Sequence, residues 1–162
     1  MRKKILILCG LALLVIMFIG RNYFVTIRYS PLDGSSKSFI ESNTPVIIPS
    51  PSRDEMQKRS TKELREAMTD LQWQLCFSRI KKLGRFEKYE GCEGQSYISL
   101  SFRKGILFTA SYFAYAKYEN GPATIRIGLI RRSKQWQINS FLVDSPIFEM
   151  DKAYAPNACI PE

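Results

Sequence analysis

Between residues 97 and 143 the side chains change character every second residue. That alternation restricts the chain to a sheet with one buried face. Tyr97–Phe102 puts Ile98, Leu100 and Phe102 on one side. Ile106–Tyr118 is a long run of Phe, Tyr and small residues. Ala123–Arg131 alternates Ile125, Ile127 and Leu129, and Trp136–Val143 follows. Arg103-Lys104-Gly105, Asn120-Gly121 and Arg132-Ser133-Lys134 separate the four runs, and Asn-Gly is a strong hairpin signal. Connections this short join antiparallel neighbours, so the runs predict a four-stranded antiparallel meander.

The stretch before the sheet predicts one long helix, Ser60–Leu83. Ser60 and Glu63 have capping-box spacing. Leu64, Ala67, Met68, Leu71, Leu75 and Cys76 then recur at helical intervals, and Trp73, Phe77 and Ile80 make a second apolar face. Lys81 and Lys82 suit the last turn, and Gly84 the position after it. Trp136 and Ile138 are expected against Leu64, Met68 and Leu71. Glu87, Glu90 and Glu93 read as a solvated loop, not as a catalytic pair held across a cleft. Residues 29–53 hold Pro31, Pro45, Pro49 and Pro51 among serines, which predicts a flexible linker.

At the N-terminus, Arg2, Lys3 and Lys4 precede an unbroken apolar run, Ile5–Gly20, closed by Arg21. The run is longer than a signal-peptide core of roughly 7–15 residues and just short of a span of about 17–25. Its end, Ile16-Met17-Phe18-Ile19-Gly20, is bulky where a cleavage site is small, and apolar character resumes at Tyr23-Phe24-Val25. The reading is an uncleaved signal anchor; cleavage would leave a secreted domain. The positive-inside rule puts the N-terminus in the cytoplasm and the domain on the periplasmic or extracellular side of a single-pass cytoplasmic (inner) membrane protein. The expected fold class is therefore α+β: one long helix packed on a four-stranded antiparallel meander, preceded by a single transmembrane helix and a flexible linker. The expected organisation is anchor 1–28, linker 29–53, extracytoplasmic domain 54–148 and irregular tail 149–162.

One helix followed by an antiparallel meander resembles the cystatin-like group of small α+β domains. Ala123–Ile130 followed by Trp136-x-Ile138-x-x-Phe141 is similar to the final hairpin of nuclear-transport-factor-like domains. The anchor, helix and meander together resemble the membrane-tethered domains that assist cytochrome oxidase assembly. The cystatin-like resemblance implies a curved sheet that can enclose a ligand; none of the three supplies functional residues that carry over.

The chain has no histidine. That removes the commonest general base, the Ser-His and Cys-His nucleophile pairs and most zinc and haem ligation. Ser78–Lys81 and Ser101–Lys104 match S-x-x-K, but neither begins a helix as that chemistry requires. No catalytic residue, metal or cofactor is expected.

The net charge is +9, to which Arg2, Lys3 and Lys4 contribute three. A basic remainder favours anionic surfaces or acidic partners, and export argues against nucleic acid. Arg79, Lys81, Lys82, Arg85 and Lys88 cluster at the helix end. Arg126, Arg131, Arg132 and Lys134 cluster around the last hairpin and are the candidate anionic-surface contact, against the plainer reading of charges that blunt edges and turns. Of the cysteines, Cys9 reads as apolar packing. Cys76, Cys92 and Cys159 permit a disulfide, with Cys76–Cys92 preferred over Cys92–Cys159 because it closes a local loop. The expected function is a binding or assembly module contacting a membrane-protein partner or an anionic surface. The alternative is a small-molecule-binding or weakly catalytic cavity under the sheet, lined by Tyr112, Tyr115 and a carboxylate; a small-molecule ligand is not the expectation.

Overall fold

The computed structural model describes residues 25–101 and 105–151. Five strands form one antiparallel sheet in sequence order: β1 (Val25–Arg28), β2 (Phe86–Ser101), β3 (Gly105–Tyr118), β4 (Gly121–Arg132) and β5 (Gln135–Asp144). Four helices lie between β1 and β2: α1 (Asp33–Ile47), α2 (Arg53–Arg59), α3 (Lys62–Ala67) and α4 (Asp70–Lys82). Short 3-10 turns cover Ser30–Leu32 and Pro146–Asp151.

The expected four-stranded meander is corrected to five strands: β3, β4 and β5 cover the alternating runs, β2 begins at Phe86 and not at Tyr97, and one more strand joins the edge. Val25–Arg28, counted above as the end of an anchor, is β1, with Val25 opposite Leu100 and Ile27 opposite Ile98. Val-Thr-Ile is a β-branched sequence that favours a pleated surface. Among the described residues no helix is long and apolar enough to cross a membrane. The single-pass inner-membrane anchor and the periplasmic location drawn from it are therefore unsupported, and Ile5–Gly20, which prompted them, lies outside the described residues.

The expected linker is also corrected, because most of it is α1. Ser36, Ile40, Thr44 and Ile47 form the buried stripe of that helix. Two of the four carry hydroxyls, so hydropathy alone hides the helical period. Pro45 sits in the last turn, where it forgoes the bond an N–H would give to Glu41 O, and the helix ends two residues later at Ile47. The N-terminus of α1 is clamped to the sheet. Asp33 Oδ1 accepts the Ser96 N–H at 2.7 Å and also the Ser96 hydroxyl. Tyr112 Oη and Ser36 Oγ share a buried hydrogen bond of 2.8 Å.

The Ser96 hydroxyl first, and its N–H second, hold the Asp33 carboxyl below its ordinary value of 3.8. The unfolded chain therefore takes up this proton at higher pH than the folded one. The stabilisation is complete above the ordinary value and is lost as pH falls through the lower folded value. In denaturant titrations Asp33→Asn should be less stable than the parent at about pH 7, with the gap closing toward about pH 3. A gap independent of pH would contradict this role.

The expected helix Ser60–Leu83 is two helices, α3 and α4, and a further helix, α2, precedes it; a side-chain cap starts each of the three. Ser52 Oγ accepts from Glu55 N, Thr61 Oγ1 from Leu64 N and Thr69 Oγ1 from Gln72 N, the last in a full capping box. Ser60, expected as a cap, ends α2 by donating to the Met56 carbonyl at 2.6 Å. The break at Met68–Thr69 shifts the helical phase. Leu71 and Leu75 are 64% and 41% exposed, and Trp73, Cys76 and Ile80 take the buried face of α4. Gly84 follows α4 with φ +80°, as its place after the last turn requires. Asn120, in the β3–β4 turn, donates its backbone N–H to Leu83 O and its amide to Lys82 O, capping the free carbonyls of α4.

The expected loop at Glu87–Glu93 is strand, paired to β3 through two register shifts. The bridge Cys76–Cys92 does not form: Cys92 is a free thiol, whereas Cys76 is disulfide-bonded. The inner face of the sheet is filled. Ala110, Tyr112, Ala114 and Ala116 of β3 meet Ile125, Ile127 and Leu129 of β4 and Ile138, Phe141 and Val143 of β5 in one core with the helices.

Candidate functional site

Trp136 occupies the start of β5 on the inner face, 8% exposed. Its Nε1 donates to Ser35 Oγ of α1 at 3.1 Å; of the expected stripe, Leu64 and Met68 share its core and Leu71 is exposed. Around it opens a groove of about 510 Å³ between α1, α2 and β5. Ser35, Ser38, Phe39, Ser42 and Asn43 line the α1 wall, Lys58 and Arg59 the α2 wall, and Gln135, Trp136 and Gln137 the floor.

The α2 wall is organised by Glu55. It accepts from Lys58 Nζ at 2.7 Å and from Arg59 Nη1 at 2.5 Å, and these two cations, Lys58 first, hold its carboxyl below the ordinary value. Arg59 Nε also donates to Asn43 Oδ1 at 2.6 Å, which ties α2 to α1. Arg59 is thus locked, whereas the exposed Lys58 ammonium keeps donors for a ligand.

The floor is an edge. β5 has β4 on one side only. On the other side Ile138 O accepts from Thr61 N at 2.9 Å, and Ser60 bridges Ile138 in parallel. Ile138 therefore points its backbone groups outward. Trp136, two residues earlier in unbroken register, points its N–H and C=O the same way. Among the described residues no backbone group pairs with Trp136 on that side. An open stretch of sheet edge thus lies along a groove rich in hydroxyl and amide groups.

The four candidate basic residues are not one patch. Arg126 is on the outer face, 3.4 Å from Asp144. Arg132 donates Nη1 to both carboxylate oxygens of Glu63, at 2.7 and 2.9 Å. Lys134 is in the β4–β5 turn at φ +66°. Arg131 is on the inner face, its guanidinium carbon 5.9 Å from the centre of the Trp136 ring. Tyr112 and Tyr115 do not share a cavity: Tyr112 is buried under α1, while Tyr115 donates to Glu93 on the opposite face. Among the described residues no group of His, Cys, Asp and Glu is arranged to hold a metal. Sequence reading missed Ser35, Ser38, Ser42 and Asn43 because they lay in the expected linker; the four-residue spacing of Ser38 and Ser42 is the signal that would have placed them on one helix face.

The chain matches no known protein family, no curated protein and no solved structure at a significant level.

Proposed function

We propose that the chain is a protein-binding module whose working surface is the groove over Trp136. The observation that carries this reading is the coincidence of an unpaired piece of β5 edge with the floor of the groove. An extended segment laid there can pair with the Trp136 backbone while its side chains reach the Ser38 and Ser42 hydroxyls and the Lys58 ammonium, which is recognition by strand addition. An acidic segment fits best. Lys58 stands at one wall, Lys134 adjoins the floor, and Glu55 is already shared between Lys58 and Arg59. The filled core and the opposed placement of Tyr112 and Tyr115 leave the small-molecule cavity with less support.

A photo-crosslinking residue at Ser38, exposed on the α1 wall of the groove, tests the proposal against the same residue at Ser111, exposed on the outer face. In the native cell, Ser38 should give an adduct to one protein that Ser111 does not give. Equal adducts at both positions, or none at Ser38, would count against the groove.

A further inference from the structure

One row of the inner face runs out from under the helical layer, from Trp136, buried beside α1, to the exposed Ile27. Ile27 of β1, Ile98 of β2, Phe108 of β3, Arg131 of β4 and Trp136 of β5 stand directly opposite one another across all five strands. The next row outward adds Leu100 opposite Ile106. The helices stop short of these rows because α1 starts at Asp33, pinned to Ser96 two residues deeper along β2 than Ile98. In consequence Ile27, Leu100 and Ile106 are 54%, 45% and 60% exposed, an apolar shelf on the face of the sheet that is otherwise core. Tyr29 flanks it, with its ring centre 5.7 Å from that of Phe108.

Arg131 closes one end of the shelf. Among the described residues it makes no ion pair, and its contact is the Trp136 ring. Its Nε is buried without a hydrogen-bond partner. An uncompensated guanidinium at the end of an open apolar strip has the charge pattern of a site for a molecule with an anionic head and an apolar tail. The distance from Arg131 to Ile27 is three strand spacings, roughly 14 Å, which suits an extended medium-length alkyl chain.

We infer that the shelf binds a single-chain alkyl carboxylate, with the carboxylate on Arg131 and the tail across Phe108, Ile98 and Ile27. A shelf covers one side of the tail, so each added methylene should tighten binding about twofold, half of full burial, until the strip is filled. This site adjoins the groove at Trp136, whose ring Arg131 contacts, but its ligand lies on the opposite side of Arg131, toward β1, and its test does not depend on the groove's occupant.

Isothermal titration of the full chain with decanoate, decanol and decyltrimethylammonium, each below its micelle threshold, tests the inference. Decanoate should bind saturably at one site, and octanoate more weakly. Arg131→Gln should weaken decanoate about tenfold and leave decanol unchanged, while Arg131→Lys restores part of the loss. Ile106→Asp should abolish binding of both; Leu100→Ser serves if that variant does not fold. Absence of saturable binding, equal binding of decyltrimethylammonium, or decanoate affinity unaltered in Arg131→Gln would overturn it.

Discussion

Replacing Trp136 with alanine should lower the unfolding free energy by about 3–5 kcal/mol, because it empties the largest side chain at the α1–β5 junction. The melting midpoint should fall by roughly 10–15 °C. The loss has two parts that a second variant separates. Trp136→Phe keeps most of the buried area but removes the Nε1 donor to Ser35. It should cost about 1 kcal/mol, the worth of one hydrogen bond. Urea titration of the two variants measures both. A Trp136→Ala protein as stable as the parent would mean that α1 does not depend on this contact, and the groove wall would lose its fixed position.

Gly94→Ala should be comparably damaging for a different reason. An added Cβ at Gly94 would lie 2.2 Å from the Ser111 carbonyl oxygen and 2.6 Å from Cδ1 of Tyr112. The carbonyl is backbone of the neighbouring strand and cannot rotate away, so β2 and β3 must separate. A cost of about 3 kcal/mol or more is expected, at the upper end for overpacking. Gly34 supplies the opposite sign. It lies in the first turn of α1, with nothing within 4 Å of an added Cβ. Gly34→Ala should stabilise by about 0.4–1 kcal/mol through the unfolded chain and helix propensity. The pair, measured in one background, tests the α1 assignment and the β2–β3 contact together.

What was legible in the sequence divides along physical lines. β3, β4 and β5 could be read because one face of each is continuous core, so Ile125, Ile127 and Leu129, or Trp136 and Ile138, announce a period of two. β1 could not, because Val25–Arg28 follows an apolar run whose character masks a four-residue edge strand. α1 was hidden by its own composition: Ser36 and Thr44 are buried by bonds and packing that no hydropathy pattern registers. The span of α3 and α4 reads as helical and that of α2 does not; Thr61 and Thr69 are caps where the pattern makes them interior residues, so Leu71 and Leu75 face solvent while Trp73, Cys76 and Ile80 are buried. The groove inherits both errors. Its walls come from the stretch that reads as linker and from the end of α2, so of its residues the sequence marks Trp136, as core, and Phe39, as an apolar exception within the linker.

The central claim, that a partner segment occupies the groove over Trp136, is tested most directly by filling the groove while recording the adduct. Ser42 is exposed on the α1 wall, so Ser42→Trp projects a large ring into the space without entering the core. With the crosslinking residue at Ser38, the predicted result is loss of the adduct at an unchanged melting temperature. An adduct of undiminished yield in the folded Ser42→Trp protein would contradict the account.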